Sequence, residues 1–174
     1  MIGVPRNKVV LSEYNSDWVA LFEEEKQRLL SVCEDKIKTI EHVGSTSIPG
    51  LIAKPLIDIA LTFENWESGN ALIEPIVSLN YEFIAGAGVA DRLLFVKRVD
   101  GDSYYHIHAY SQGSTNYKNQ ILFRDYLRNH KEIAEEYAQL KKNLYEEYKD
   151  NRPRYTEGKE KFIIGLLRII NDKY

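Results

Sequence analysis

Apolar positions near the start of the chain recur at helical spacing. Trp18, Leu21, Phe22, Leu29 and Val32 fall on one side of a predicted helix from Ser16 to about Glu34, with Ser16 as its cap. The period then changes. Ile37 to Val43 reads as a strand that ends at Gly44-Ser45-Thr46-Ser47, and Pro49-Gly50 marks a turn. Pro55 to Thr62 is the clearest strand in the chain, with Ile57, Ile59 and Leu61 alternating against Leu56, Asp58, Ala60 and Thr62. Asn65 to Leu79 predicts a helix whose last turn Pro75 marks or kinks. Three strands follow, Tyr81 to Ala85, Arg92 to Val99 and Ser103 to Tyr110. Gly86 and Gly88 part the first two, and Asp100-Gly101-Asp102 makes a hairpin turn between the others. From Tyr117 the pattern is helical. Ile133, Tyr137, Leu140, Leu144 and Tyr148 form a long apolar stripe, Arg152-Pro153-Arg154 interrupts it, and a final helix is predicted from about Glu157 to Asn171.

This order predicts an α/β (α+β) fold, a mixed β-sheet flanked by helices with a helical C-terminal third. Neither an internal repeat nor a long linker divides the 174 residues, so one domain over 1–174 is expected. The net charge of −3 carries no strong nucleic-acid signal. A nucleotide or other phosphorylated small molecule stays open as a partner, because it needs only a few cations in one place. Cys33 is the only cysteine, which rules out an intrachain disulfide and a cysteine-based zinc site. Met1 to Ser12 lacks the order of a signal peptide, and the longest apolar run, Phe162 to Leu167, is too short to span a bilayer. A cytoplasmic protein without membrane association is expected. The oligomeric state stays open.

Candidate chemistry begins at the turn after the first strand. Gly44 lets a ligand approach the backbone, and successive N–H groups with the hydroxyls of Ser45, Thr46 and Ser47 suit phosphate oxygens. Lys54 adds a positive charge nearby; an ordinary polar turn is the alternative. Asp58 then points away from the apolar face of its strand. A mid-strand carboxylate calls for a cation, a helix end or a pairing with Lys54. His106 and His108 share one face of their strand with Tyr104 and Tyr110, so two imidazoles can meet one metal ion or one phosphate. Arg98 is placed to join the same cleft, its alternative being an exposed edge charge.

The run His42-Val43-Gly44-Ser45-Thr46-Ser47-Ile48-Pro49-Gly50-Leu51, followed by Ala53-Lys54-Pro55-Leu56-Ile57-Asp58-Ile59, closely resembles the signature of the GrpB family. The similarity continues through His106-Ile107-His108, Phe123-Arg124-Asp125-Tyr126-Leu127-Arg128 and Tyr155-Thr156-Glu157-Gly158-Lys159. That family is placed in the nucleotidyltransferase superfamily, whose fold is that of the DNA polymerase beta catalytic domain. The resemblance implies a Gly-Ser turn that holds nucleotide phosphates and carboxylates that hold Mg²⁺ or Mn²⁺ for attack on the α-phosphate. It carries Gly44, Ser45 and Asp58 over directly, and it adds Arg124, Tyr155 and Lys159 as groups that close over a ligand. Arg124 has Asp125 or a nearby glutamate as an alternative partner, and Lys159 a solvated position. The second carboxylate position holds Ala60, and the two histidines suit Zn²⁺ or Mn²⁺ better than Mg²⁺.

Three functions remain in play. The first is a nucleotidyltransferase with Asp58, His106 and His108 at its metal or as general base. The second is a non-catalytic nucleotide- or metabolite-binding module. The third is a histidine/transition-metal enzyme.

Overall fold

The structure, a computed structural model, describes residues 2–6, 8–86 and 91–173; the expected break at Gly88 lies outside them. Helix α1 (Asp17–Cys33) turns Trp18, Phe22, Leu29 and Cys33 inward. Its cap differs from expectation. Ser16 makes no capping bond; instead the Asn15 side chain accepts from the Asp17 N–H at 2.8 Å.

Strands β1 (Thr39–Val43) and β2 (Ile57–Phe63) are joined through a short 3₁₀ turn, Ser45–Ser47. The predicted helix over 65–79 is two helices, α2 (Trp66–Asn70) and α3 (Ile73–Ser78). Asn65 caps the first in a reciprocal box with Ser68. Pro75 lies in the first turn of α3, where a missing N–H leaves no intrahelical bond unmade, so it opens a helix rather than closing one. Strands β3 (Tyr81–Phe83), β4 (Arg92–Val99) and β5 (Asp102–Ser111) follow. Asp100 and Gly101 both take positive φ, 51° and 87°, as a two-residue hairpin turn requires.

The last third is α4 (Thr115–Asn129), α5 (Lys131–Tyr148) and α6 (Arg152–Lys173). Helix α6 starts five residues before the predicted Glu157, because Pro153 sits in its first turn, where proline is tolerated.

The five strands order as β1-β2-β5-β4-β3, with β2 and β5 parallel and every other pair antiparallel. One face carries Ile57, Ile59, Leu61 and Phe63 with Phe95, Ile107 and Ala109, packed on α1 and α3. These four β2 side chains are fully buried, each worth about 1.5–3 kcal/mol relative to exposure. Glu25, buried on α1, is held there by the Tyr81 hydroxyl at 2.9 Å and Lys97 Nζ at 2.8 Å. The opposite face carries the even residues of β2. Beside it a second core joins Ile48 and Leu51 to Leu127, Tyr137, Leu166 and Ile170 of the three C-terminal helices. The cleft lies between that sheet face and those helices. No helix among the described residues is long and apolar enough to cross a membrane.

Candidate functional site

Parallel pairing sets Asp58 of β2 opposite His106 of β5, and Ala60 opposite His108. Asp58 Oδ1 lies 3.5 Å from His106 Nδ1 and 3.4 Å from His108 Nε2. Burial pushes the Asp58 pKa up, but hydrogen bonds and charge from the two histidines outweigh it and hold the carboxyl well below its ordinary range. Burial pushes His106 down, with Asp58 opposing. One donor atom from each of the three side chains falls within 4.8 Å of the others.

The turn explains its own glycine. Gly44 has φ 70° and ψ −176°, a region other residues hardly enter, and a Cβ there would stand 2.6 Å from Asp58 Oδ2. Ser45 and Thr46 both line the cleft, and of the three turn hydroxyls that of Ser45 is the one not bonded within the turn. Thr46 Oγ1 donates to the Leu56 carbonyl at 3.0 Å and meets His42 Nε2 at 3.1 Å. His42 is neutral in this role, its pKa lowered to about 4 by burial. Ser47 Oγ donates back to the Gly44 carbonyl at 2.6 Å. The Thr46 and Ser47 hydroxyls therefore shape the turn, because a tight turn buries its later polar groups and must bond them internally.

Around Ser45 the helices contribute cations that the sequence reading missed or undervalued. Lys141 of α5 donates to Ser45 Oγ at 3.2 Å and to the Ile52 carbonyl, and its ammonium sits 4.8 Å from the Tyr137 ring. Burial first, then Lys159 and Lys54, bring its pKa down to about 7. Lys159 of α6 lies 4.8 Å over the Tyr155 ring and is lowered to about 8, by burial and then Lys54. Both Lys159 and Tyr155 line the cleft, with Lys159 half-buried there. Lys54 lines it too and is lowered mainly by burial. Gly158 lets α6 close on α5, since a Cβ there would meet Leu144 at 2.4 Å.

Two arginines expected in the cleft are elsewhere. Arg98 follows a register shift in β4 and pairs with Glu82 on the neighbouring strand. Arg124 is buried against Glu41 at 2.7 Å, Asp125 at 2.8 Å and the His42 carbonyl at 3.0 Å, tying α4 to β1. In Arg98's stead, Arg92 lines the cleft, with Nη1 3.3 Å from His108 Nδ1. Period-two alternation places Arg92 on one face with Leu94 and Val96; nothing local in the sequence marks Lys141, which sits on the apolar stripe of α5 between Tyr137 and Leu144. The cavity measures about 450 Å³ and runs from Asp58 and Ser45 to Asn119 and Phe123 of α4.

The family model described as GrpB protein matches residues 8–168. The chain is 39% identical over 159 residues to UPF0157 protein YqkA of Bacillus subtilis (strain 168), covering 91% of this chain and 46% of that protein. It thus spans about half the length of that relative. Among solved structures, the conserved protein GrpB from Enterococcus faecalis superposes with a TM-score of 0.87 at 32% identity, over 95% of this chain and 99% of that one. The Cid1 poly(U) polymerase superposes at a TM-score of 0.53 and 11% identity, over 78% of this chain and 45% of that one. That likeness is one of fold, and it makes the architecture nucleotidyltransferase-like.

Proposed function

We propose that this chain, which belongs to the GrpB family, binds a nucleoside triphosphate with one divalent cation and transfers its nucleotidyl group to a hydroxyl acceptor. One observation carries the reading: three lysines, Lys141 buried and Lys54 and Lys159 half-buried, line the cleft at the Gly44–Ser45 turn. Among the described residues, the charges acting most on Lys141 are two other lysines, and Asp58 is the carboxylate felt by Lys54 and Lys159. Three ammonium groups crowded beside a single carboxylate repel one another, and a polyphosphate supplies further negative charge.

Asp58, His106 and His108 fit a single cation, because their donor atoms lie within 4.8 Å. Two imidazoles and one carboxylate suit Mn²⁺ or Zn²⁺ better than Mg²⁺, and a buried Ala60 offers no carboxylate for a second ion. Arg92 can only donate, so its contact with Nδ1 puts the His108 proton on Nε2, facing Asp58. Ligation by His108 requires that proton to leave. When bound, the ion would polarise phosphate oxygens and offset charge developing on them. The chain's own groups do the rest: Ser45 and Lys141 hold phosphate oxygens, while Lys54 and Lys159 neutralise the departing pyrophosphate. The acceptor oxygen bonds to the α-phosphorus as the bond to pyrophosphate breaks, and His106, when Asp58 and His108 hold the ion, takes the proton.

The test is thermal denaturation with each common nucleoside triphosphate and Mg²⁺, Mn²⁺ or Zn²⁺, followed by pyrophosphate release. A ligand at a hundredfold excess over its Kd adds about 2.7 kcal/mol of stability. The shift should vanish in Asp58→Ala, and its absence for every triphosphate would overturn the proposal. Ala60 favours a second reading, a module that binds without turnover. Tight binding with no pyrophosphate release across a panel of hydroxyl acceptors would select it.

A further inference from the structure

Ser45 is half-buried and lines the cleft, with a buried amine behind it. Lys141 Nζ lies 3.2 Å from Ser45 Oγ and is held from the other side by the Ile52 carbonyl. Tyr137, one turn earlier on α5, is buried too, and its hydroxyl is hydrogen-bonded to Ser45. Ser45 is thus the accessible member of a trio whose other two members are buried.

The surroundings set the protonation of each partner. Burial pushes the Tyr137 phenol up, so it stays protonated and can donate to Ser45 Oγ. On this side of the cleft the titratable groups beside Lys141 are Lys54 ahead of β2, Tyr137 on α5, and Tyr155 and Lys159 on α6. The charges acting on Lys141 are Lys159 and Lys54, and with burial they favour the neutral amine. As an ammonium, Lys141 donates to Ser45. As an amine it offers a lone pair along the same 3.2 Å line and can take the serine proton. A buried lysine beside an accessible serine is the arrangement of a serine–lysine dyad.

We propose that Ser45 is a nucleophile for acyl transfer, with Lys141 as its general base and Tyr137 as the donor that orients the hydroxyl. Ser45 Oγ bonds to the carbonyl carbon of an ester. Its proton passes to Lys141 and on to the departing alcohol oxygen as the ester C–O bond breaks. Water, deprotonated by Lys141, then attacks the acyl carbon; the bond to Ser45 breaks, the serine regains its proton and the acid leaves. Lys54 and Lys159 line the cleft with positive charge for the tetrahedral oxyanion. The walls define the acyl group. Tyr155, Lys159, Ile163 and Leu167 follow one another at four-residue spacing on α6, and Ile163 and Leu167 share an apolar cluster with Phe123 of α4. An apolar acyl chain fits that end. Neither a metal nor a triphosphate enters this chemistry, so it stands or falls separately from the nucleotide reading.

The probe is p-nitrophenyl butyrate, given to the intact protein without metal or nucleotide and followed at the isosbestic point of p-nitrophenol. Release should rise between about pH 6 and pH 8 as Lys141, lowered to about 7, gives up its proton. Mass spectrometry of acid-quenched protein should place a butyryl group on Ser45. Ser45→Ala should abolish both signals. Lys141→Met should slow release by about 100-fold or more, and so should Lys141→Arg, which keeps the charge but cannot act as a base at neutral pH. Circular dichroism checks that each variant is folded; where a Lys141 variant is not, the pH profile of the wild type and Ser45→Ala decide. Release at the wild-type rate in Ser45→Ala, or in folded Lys141 variants, overturns the proposal. So does wild-type protein that carries no acyl group on Ser45, or whose rate above the Ser45→Ala background is flat across that pH range.

Discussion

Replacing Lys141 with methionine separates a ligand-binding lysine from a structural one, because the two roles predict opposite changes in stability. The side chain is 2% exposed and its pKa falls from 10.5 to about 7. At about 1.4 kcal/mol per pH unit, holding this amine in the folded state at pH 7 costs about 4 kcal/mol relative to the unfolded chain. Methionine removes that cost and keeps most of the volume. Against this, the Ile52 carbonyl loses its donor, a penalty of about 1–3 kcal/mol. Lys141→Met should therefore raise stability at pH 7 by about 1–3 kcal/mol. For a chain of this size that is a gain of several degrees in Tm, read by calorimetry without ligand. Affinity should move the other way. Loss of a charged hydrogen bond to phosphate, about 1.5–3 kcal/mol, weakens triphosphate binding by about 10- to 150-fold. The sign also has a pH signature. Between pH 7 and 10.5 the unfolded chain holds the proton that folded Lys141 has released, so this residue makes stability rise with pH. The variant should lose that rise. A variant destabilised by more than about 1 kcal/mol that still binds triphosphate normally would refute the argument, and would make Lys141 a strut for the segment at Ile52.

Gly44→Ala places a Cβ against Asp58 in a backbone region reserved for glycine; a loss of about 1–3 kcal/mol in chemical denaturation and of metal-dependent nucleotide binding is expected. Lys159, lowered to about 8, and Lys141, lowered to about 7, must both take up protons when a polyanion binds. Affinity for tripolyphosphate, corrected for the ligand's own protonation, should then fall by about tenfold or more between pH 7 and pH 9; a flat profile in calorimetry would contradict this. Glu25→Ala strips the buried carboxylate from Lys97 and Tyr81 on the far face of the sheet, and urea denaturation should show a loss of about 3–5 kcal/mol. Ligand affinity at the folded baseline should be unchanged by it, which sets this variant apart from those in the cleft.

The strands and their faces were legible in the chain alone, because period-two alternation and turn chemistry are local; the approach of Gly44 to Asp58 was not. Arg92 to Val99 was delimited to the residue, and the hairpin at Asp100 and Gly101 follows from their tolerance of positive φ. Helix ends were harder wherever proline stood near them. Pro75 and Pro153 both read as breaks, yet both open helices, and only the bonds around them distinguish the two cases. Asp58, His106 and His108 could be assigned to matching faces from sequence, but their meeting within 4.8 Å depends on β5 pairing parallel to β2 across an intervening α2-α3-β3-β4 crossover. That pairing is a long-range choice no window of residues contains. The same limit hid Lys141, which lies on an apolar helical stripe, and it misdirected Arg98 and Arg124, whose carboxylate partners Glu82 and Glu41 lie on other elements. A sequence determines which side a residue faces; the packing of α4, α5 and α6 against the sheet decides what each side chain meets there, and therefore which charges are paired and which are left for a ligand.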